Sequence, residues 1–291
     1  MDNIGNSSLI AGCGYLGLRV ANAWTLGGRI VHAITRSRQN AAQFESLNLQ
    51  PLVMDLSAPS EADRLPAAET VLWAVGMDRS SDTPREKIWI DGLTWLLDHL
   101  PQPPRRFIYV SSTSVYGSRD GELINENSST NPQTEGGTCC VNAEQLVRQH
   151  FADSTTEVIV LRMAGIYGPD RLLRRVSDLE AGTPLPGAAD QWLNLIHVDD
   201  AVRMVQHATT AGSVPSVINV VNSGTLTRQQ YYEQLANLSS TPAPTFGGAE
   251  SSRQRGGNKQ VTSIYGGLTE FRFDDVAAGL KDSWDRSTSK S

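Results

Sequence analysis

The chain has 291 residues, 39% of them hydrophobic and 19% charged, and carries a net charge of −6. That length holds one large domain or two fused ones with a full core, and the acidic balance lacks the basic footprint of a nucleic-acid or anionic-membrane binder. Three cysteines, two of them adjacent, make neither a disulfide framework nor a metal-ligand set, so no metal is expected and a reducing cytoplasm is the default compartment.

The opening "MDNIGNSS" has an acid and no basic region, which argues against a signal peptide, and no apolar run is long enough to span a bilayer. Strand and helix patterns then alternate. "SLIAGCG" is an apolar strand ending in glycine, and "YLGLRVANAWTLGG" has helical spacing with a Gly-Gly stop. "RIVHAIT" reads as a strand, "NAAQFESLN" as a helix, and "LQPLVMD" as a strand reaching Asp55. "ETVLWAVG" is the next strand, "TPREKIWIDGLTWLLDHL" one long amphipathic helix over 83–100, and "RRFIYVSS" a strand. An irregular insert (117–135) precedes a helix in "VNAEQLVRQHF" and a strand in "TEVIVLRMAG".

Past Gly168 the rhythm changes. "PDRLLRRVSDLEAG" is a short helix and "TPLPGAADQW" a loop. "LNLIHV" and "SVINVV" are strands flanking a helix that Asp199 or Asp200 caps. The stretch 239–259 reads as a mobile loop and 281–291 as a frayed tail. The expectation is an α/β fold: a doubly wound parallel sheet over 1–168, with 192–222 returning to it. Residues 169–191 and 223–291 then form a small substrate-binding lobe; the region from about 223 is too small for an independent core.

"GCGYLG" places Gly12, Gly14 and Gly17 as G-x-G-x-x-G between the first strand and first helix, with Tyr15 and Leu16 inside the loop. The glycines allow a tight turn, close backbone approach to a pyrophosphate, and helix–strand contact, and the helix N-terminus favours phosphate. An NAD-binding unit puts Asp or Glu at the end of the second strand. This chain has Thr35, Arg36, Ser37 and Arg38 there. An acid would repel a 2′-phosphate, whereas a guanidinium binds it, so the expected cofactor is NADP(H) in a Rossmann sheet. Solvated loop arginines are the plainer alternative. Asp55 and Leu56 suit the adenine rim or a strand-end cap, Ala74 ends the fourth strand near the loop, and Cys13 reads as a packing residue.

From "YVSSTSVYG" (109–117) the chain resembles the extended short-chain dehydrogenase/reductase family of nucleotide-sugar epimerases and dehydratases. "GCGYLG", "LRMAGIYGP" (161–169) and "IHVDDA" (196–201) carry the same resemblance, over about residues 8–209. It implies that Ser111 lies beside the cofactor, that Ser112 hydrogen-bonds the reacting atom, and that the backbone of Gly165 and Ile166 meets the nicotinamide. It also implies a Tyr-x-x-x-Lys pair, whose positions fall on Gly136 and Cys140. Both side chains are gone, which resembles the atypical, Tyr–Lys-lacking branch. Members of that branch often follow the glycine with Lys or Arg; here Gly137 precedes Thr138.

Ser112, Tyr116 and a cysteine at a helix N-terminus (Cys139 or Cys140) remain as groups able to help a reaction. Core packing is the alternative for Tyr116, and inert burial for the thiols. His197 is open to a catalytic or a packing reading, Asp199 reads as a cap, and Lys259 as either an anion contact or a solvated lysine. The leading expectation is an NADP(H)-dependent oxidoreductase reducing a small carbonyl or imine. A nucleotide-sugar epimerase/dehydratase and a non-catalytic NADP(H)-binding redox sensor are the alternatives. A homodimer through 83–100, with Trp89 and Trp95, is the candidate assembly; packing on the sheet is the other use of those aromatics.

Overall fold

The computed structural model describes residues 4–76, 83–117, 120–171, 173–247, 257–273 and 275–289. Its elements begin with β1 (Ser7–Ala11), α1 (Gly17–Leu26), β2 (Ile30–Thr35), α2 (Arg38–Ser46), β3 (Gln50–Val53) and β4 (Thr70–Trp73). A π-helical turn (Lys87–Asp91) leads into α3 (Gly92–Asp98), then β5 (Arg106–Ser112), β6 (Glu122–Ile124), α4 (Glu135–His150), β7 (Glu157–Met163) and β8 (Gly165–Tyr167). There follow α5 (Leu173–Glu180), β9 (Leu185–Pro186), β10 (Trp192–Leu193), β11 (Leu195–His197), α6 (Val198–Thr210) and β12 (Val217–Val220). The chain closes with β13 (Leu226–Thr227), α7 (Arg228–Ser239), β14 (Phe246–Gly247), β15 (Lys259–Val261) and α8 (Val276–Thr288).

Contacts divide the chain into two units. The first comprises Met1–Ser112, Glu135–Arg162 and Met204–Ile218; the second comprises Thr113–Thr134, Met163–Arg203 and Asn219–Ser291. Residues 113–134, grouped with the first domain on sequence grounds, thus cluster with the second. The large sheet has seven strands in the order β12-β7-β5-β4-β1-β2-β3. Its central pairs β4–β1, β1–β2, β2–β3 and β4–β5 are parallel. This is the doubly wound α/β arrangement, and the order turns about β1, with β2 and β3 added on one side of it and β4 and β5 on the other.

Every residue of β1 is buried, as a central parallel strand covered on both faces requires. α1 buries Gly17, Val20, Ala21 and Trp24, one stripe at helical spacing, and stops at Gly27 and Gly28, the latter at φ 82°. The first unit's core joins Leu9, Val71, Trp73, Leu93, Phe107 and Tyr109. Arg106 of β5 lies fully buried among them in sequence, with its guanidinium donating to Glu157 Oε2 (2.8 Å), Ala208 O (3.0 Å) and Ala211 O (2.5 Å). The second unit has its own core of Tyr167, Leu185, Leu235 and Leu280, with Trp284 packed against it. Residues beyond 223 share this core with 163–203.

Several expected elements differ. The helix expected over 83–100 is helical from 85 to 98 but carries a π turn ahead of the two-turn α3, and Gly92 at their junction packs so closely on the Leu56 carbonyl that an added Cβ would lie 2.5 Å from its oxygen. Trp95 stacks on His99 (4.3 Å between centroids) and packs against the core, the alternative to a dimer surface. The insert 117–135 holds β6, paired in parallel with β15. Much of the expected loop at 239–259 (248–256) lies outside the described residues, while β14 and Lys259 of β15 are strands. The C-terminal segment is helical through Thr288, with Asp275 accepting from Ala278 N (2.8 Å) as N-cap and Leu280 buried.

Candidate functional site

The carboxyl ends of β3, β2, β1, β4 and β5 lie side by side on one edge of the sheet. In open α/β sheets that edge, at the turning point of the strand order, is where ligands bind. The loop between β1 and α1 is built there by contacts only glycine satisfies. A Cβ on Gly12, whose φ is 96°, would sit 2.5 Å from the backbone of Ala74 and Val75. A Cβ on Gly17 would overlap the Gly12 carbonyl oxygen. Gly14 is the reverse case, with no heavy atom within 4 Å of its Cβ position. Two glycines thus close the turn on itself and on Ala74, whose N–H donates to Ala11 O (2.8 Å), and the third faces open space.

α1 begins with Leu16 in the N-cap position, without a side-chain cap and without an acid in its first turn. The loop therefore presents helix N-terminal dipole and an open glycine face to an anion, with no competing carboxylate. Tyr15 lies under the Arg19 guanidinium (4.1 Å to the ring centroid), which also donates to the Tyr15 carbonyl (2.8 Å). Burial pushes the Cys13 thiol up to about 12, so it is a neutral packing residue.

At the end of β2, the buried Thr35 Oγ1 accepts from Ser37 N (3.2 Å), and Ser37 Oγ caps α2 by accepting from Asn40 N (3.3 Å). This fixes the turn and leaves Arg36 and Arg38 exposed on either side of the cap. Thr35 is in register with Val53, which places the following Asp55 and Leu56 on the same edge. Asp55 Oδ1 accepts from both Ser57 N (2.9 Å) and Ser57 Oγ (2.7 Å), and Leu56 is buried. Asp55 is thus first a turn-former, the cap alternative raised by its position at the strand end.

Ser111 and Ser112 end β5. The Ser111 hydroxyl donates to Glu144 Oε1 (2.6 Å), so of this residue it is the backbone that remains for a cofactor contact. Glu144 of α4 also accepts from Arg162 Nε (3.0 Å) and Nη2 (2.7 Å), forming a buried bidentate pair. The sequence reading missed this network. Its signal was the arginine inside the apolar run "VIVLRM", since a buried guanidinium demands a partner. Ser112 is half-buried at the strand end.

α4 starts at Glu135, six residues before the expected helix, so Cys139 and Cys140 lie inside it rather than at its N-terminus. Both thiols are buried. Burial raises the Cys139 pKa and pushes Cys140, which hydrogen-bonds Ser111 and Tyr109, up to about 11. Neither is a thiolate nucleophile or base at neutral pH, which overturns that reading. At Gly136 a Cβ would meet Arg85 Nη1 at 2.5 Å and the Trp89 ring at 3.9 Å.

The other named residues belong to the second unit. Tyr116 is 1% exposed and its hydroxyl donates to Asn219 Oδ1 (2.9 Å), the core alternative of the sequence reading; a proton-donor role gains no support. Lys259 is not solvated: it is 3% exposed, donates to the Tyr116 carbonyl (2.5 Å), and burial lowers its pKa to about 8. Gly165 is exposed and Ile166 half-buried in β8, which pairs with β11. Asp199 and Asp200 lie within the first turn of α6 instead of capping it. The buried His197 Nδ1 accepts from Asp199 N (3.1 Å) and so occupies the capping role.

His197, Asp199 and Asp282 converge as a metal site would. However, Arg272 pairs with Asp199 (2.7 Å) and Asp282 (3.0 Å), and Arg286 with the same two (2.8 and 2.9 Å). Two guanidiniums already neutralise both carboxylates, so the cluster is a closed ion network.

Residues 8–221 match the NAD dependent epimerase/dehydratase family. The chain is similar to Protein YeeZ of Escherichia coli (strain K12), 27% identical over 243 residues, covering 81% of this chain and 85% of that protein. It is similar also to the chloroplastic epimerase family protein SDR39U1 homolog of Arabidopsis thaliana, 23% identical over 251 residues, with 81% and 71% covered. Among solved structures, MoeE5 in complex with UDP-glucose and NAD aligns with a TM-score of 0.81 at 21% identity, over 98% of this chain and 99% of that one. Across sequence, fold and the two replaced side chains at Gly136 and Cys140, the chain belongs to the NAD dependent epimerase/dehydratase family, as an atypical extended short-chain dehydrogenase/reductase without the Tyr–Lys pair.

Proposed function

We propose that the protein is an NADP(H)-dependent oxidoreductase that reduces a small carbonyl or imine compound. The observation that carries this reading is the end of β2, where Ser37 caps α2 and two exposed arginines stand where an acid would select NAD. No acid lies in the first turn of α2 either, so the helix N-terminus adds its positive end to the two arginines. The glycine loop fits a pyrophosphate, since Gly14 leaves open the space a Cβ would fill.

The dinucleotide supplies or accepts a hydride when bound. The chain's residues do the rest: glycine-loop amides hold the pyrophosphate, Arg36 and Arg38 hold the 2′-phosphate, and Ser112 hydrogen-bonds the reacting oxygen or nitrogen. With Cys140 protonated and Tyr116 buried, no base is present among them for alcohol oxidation. Hydride addition to a polarised acceptor needs no base, and the proton that completes it on oxygen or nitrogen comes from water, which favours it over the oxidation that opens an epimerase cycle.

Calorimetry tests the reading. NADPH is expected to bind tighter than NADH, and Arg36→Ala to lose ~10-fold or more of NADPH affinity, as for a charge-assisted hydrogen bond of about 1.5–3 kcal/mol, with NADH unchanged. Equal or tighter NADH binding by the wild type overturns the cofactor assignment. Tight NADPH binding without turnover of any carbonyl or imine in a broad panel overturns the reductase.

A further inference from the structure

We propose that Arg85 binds the substrate at the place vacated by the tyrosine, and that this substrate carries a carboxylate next to its reacting carbonyl or imine carbon. The inference rests on the reductase reading and names the substrate class for it.

The geometry comes from Gly136. Its Cβ direction points at Arg85, with Nη1 2.5 Å from where that atom would be and the Trp89 ring 3.9 Å away. A side chain at 136 would meet the guanidinium and make it shift, so the missing side chain at this position leaves Arg85 the space in which it stands.

Arg85 is placed but not consumed. It stands 5.9 Å over the Trp89 ring, and its ion-pair partner Glu135 is 3.7 Å from Nε, longer than a hydrogen bond. Its side chain is 31% exposed, whereas that of Glu135 is 71% exposed. Exposed pairs of this kind contribute ~0–1 kcal/mol, so an incoming carboxylate can replace Glu135. Trp89 sits in the π-helical turn Lys87–Asp91, a widened backbone form found frequently at functional sites.

The chemistry selects the ligand. A guanidinium stays charged at any working pH and cannot hand over a proton as a phenol does. What it offers is a planar fork of donors matching a planar carboxylate, and a positive charge beside an acceptor carbon. A nucleotide sugar without a ring carboxylate fits less well: its diphosphate hangs from ring carbon 1, across the ring from carbon 4, and would not lie at the reacting centre.

The experiment titrates oxalate calorimetrically into the full chain, with and without saturating NADP+, with methylphosphonate as the phosphate arm. Wild type should bind oxalate more tightly than methylphosphonate. Arg85→Gln should weaken oxalate by ~10-fold or more, with Arg85→Lys between. Glu135→Gln should tighten oxalate severalfold, a gain that a merely structural arginine would not produce. Unchanged oxalate affinity in Arg85→Gln, no oxalate binding by wild type, or preference for methylphosphonate overturns the proposal. Should Arg85→Gln fail to fold, the Arg85→Lys and Glu135→Gln arms decide by the same directions. Absence of NADP+ binding with an intact, Arg85-dependent oxalate response would sink the reductase reading and leave the anion site standing.

Discussion

Acid should unfold this protein partly through one imidazole. His197 is fully buried between Tyr167 (5.2 Å between ring centroids) and Phe273 (4.4 Å). The Ser283 hydroxyl donates to Gly279 O (2.6 Å), so His197 Nε2 must be the donor in its 3.1 Å bond to Ser283 Oγ, and Nδ1 the acceptor from Asp199 N. The neutral ring is thus fully used. A second proton on Nδ1 would break the bond from Asp199 N and place a charge in the core. Burial lowers the pKa from 6.5 to about 4; Asp199 and Asp282 pull it up, and Arg286 and Arg272 offset them. Between those values the unfolded chain binds a proton that the folded chain refuses, so stability falls as pH drops from 6.5 towards 4. At ~1.4 kcal/mol per pH unit the gap amounts to about 3 kcal/mol. Glutamine can accept from Asp199 N and donate to Ser283 without titrating. Urea unfolding from pH 7 to pH 4 should therefore show wild type losing about 3 kcal/mol more than His197→Gln, which starts lower and runs flatter. Parallel stability curves for the two proteins would refute the reasoning.

Two further outcomes follow from buried charge. Glu144→Leu should cost ~3–5 kcal/mol in urea unfolding by stranding Arg162, and adding Arg162→Met should recover most of it; a double variant as weak as the single one contradicts this. Lys259, with its pKa lowered from 10.5 to about 8 by burial, gives the same sign of slope at the alkaline end. Above pH 8 the folded protein sheds a proton the unfolded chain still holds, so wild type should gain stability up to pH 10.5 relative to Lys259→Met, by about 3 kcal/mol; a constant difference between them counts against it.

The parts of this molecule that rest on backbone proximity were readable from residue type. Gly12 and Gly17 announce close approach because no other residue tolerates it, and the collisions a Cβ would meet are the same fact seen in space. The β-branched and apolar runs likewise locate the sheet. What stayed hidden depends on partners distant in sequence. Gly136 and Gly137 lie ahead of the helix expected from Val141, yet α4 runs through both, and Gly136 faces Arg85, 51 residues earlier. The bond from the Ser111 hydroxyl to Glu144, and from Glu144 to Arg162, likewise joins residues far apart in sequence. The π turn at 87–91 left no mark on the apolar periodicity that suggested a continuous helix.

Arg106 carries a consequence for how the polypeptide must come together. Its guanidinium caps the carbonyls at the end of α6, more than 100 residues downstream, and has no water to fall back on. Synthesis therefore completes β5 long before the acceptors that its arginine needs exist. A nascent chain released short of Ala208 would have to keep that strand ajar or seal in a cation with Glu157 as its acceptor and the two carbonyls missing. The first unit consequently cannot be harvested as one uninterrupted stretch, and its assembly waits for a late segment to return, which is the slow kind of closure.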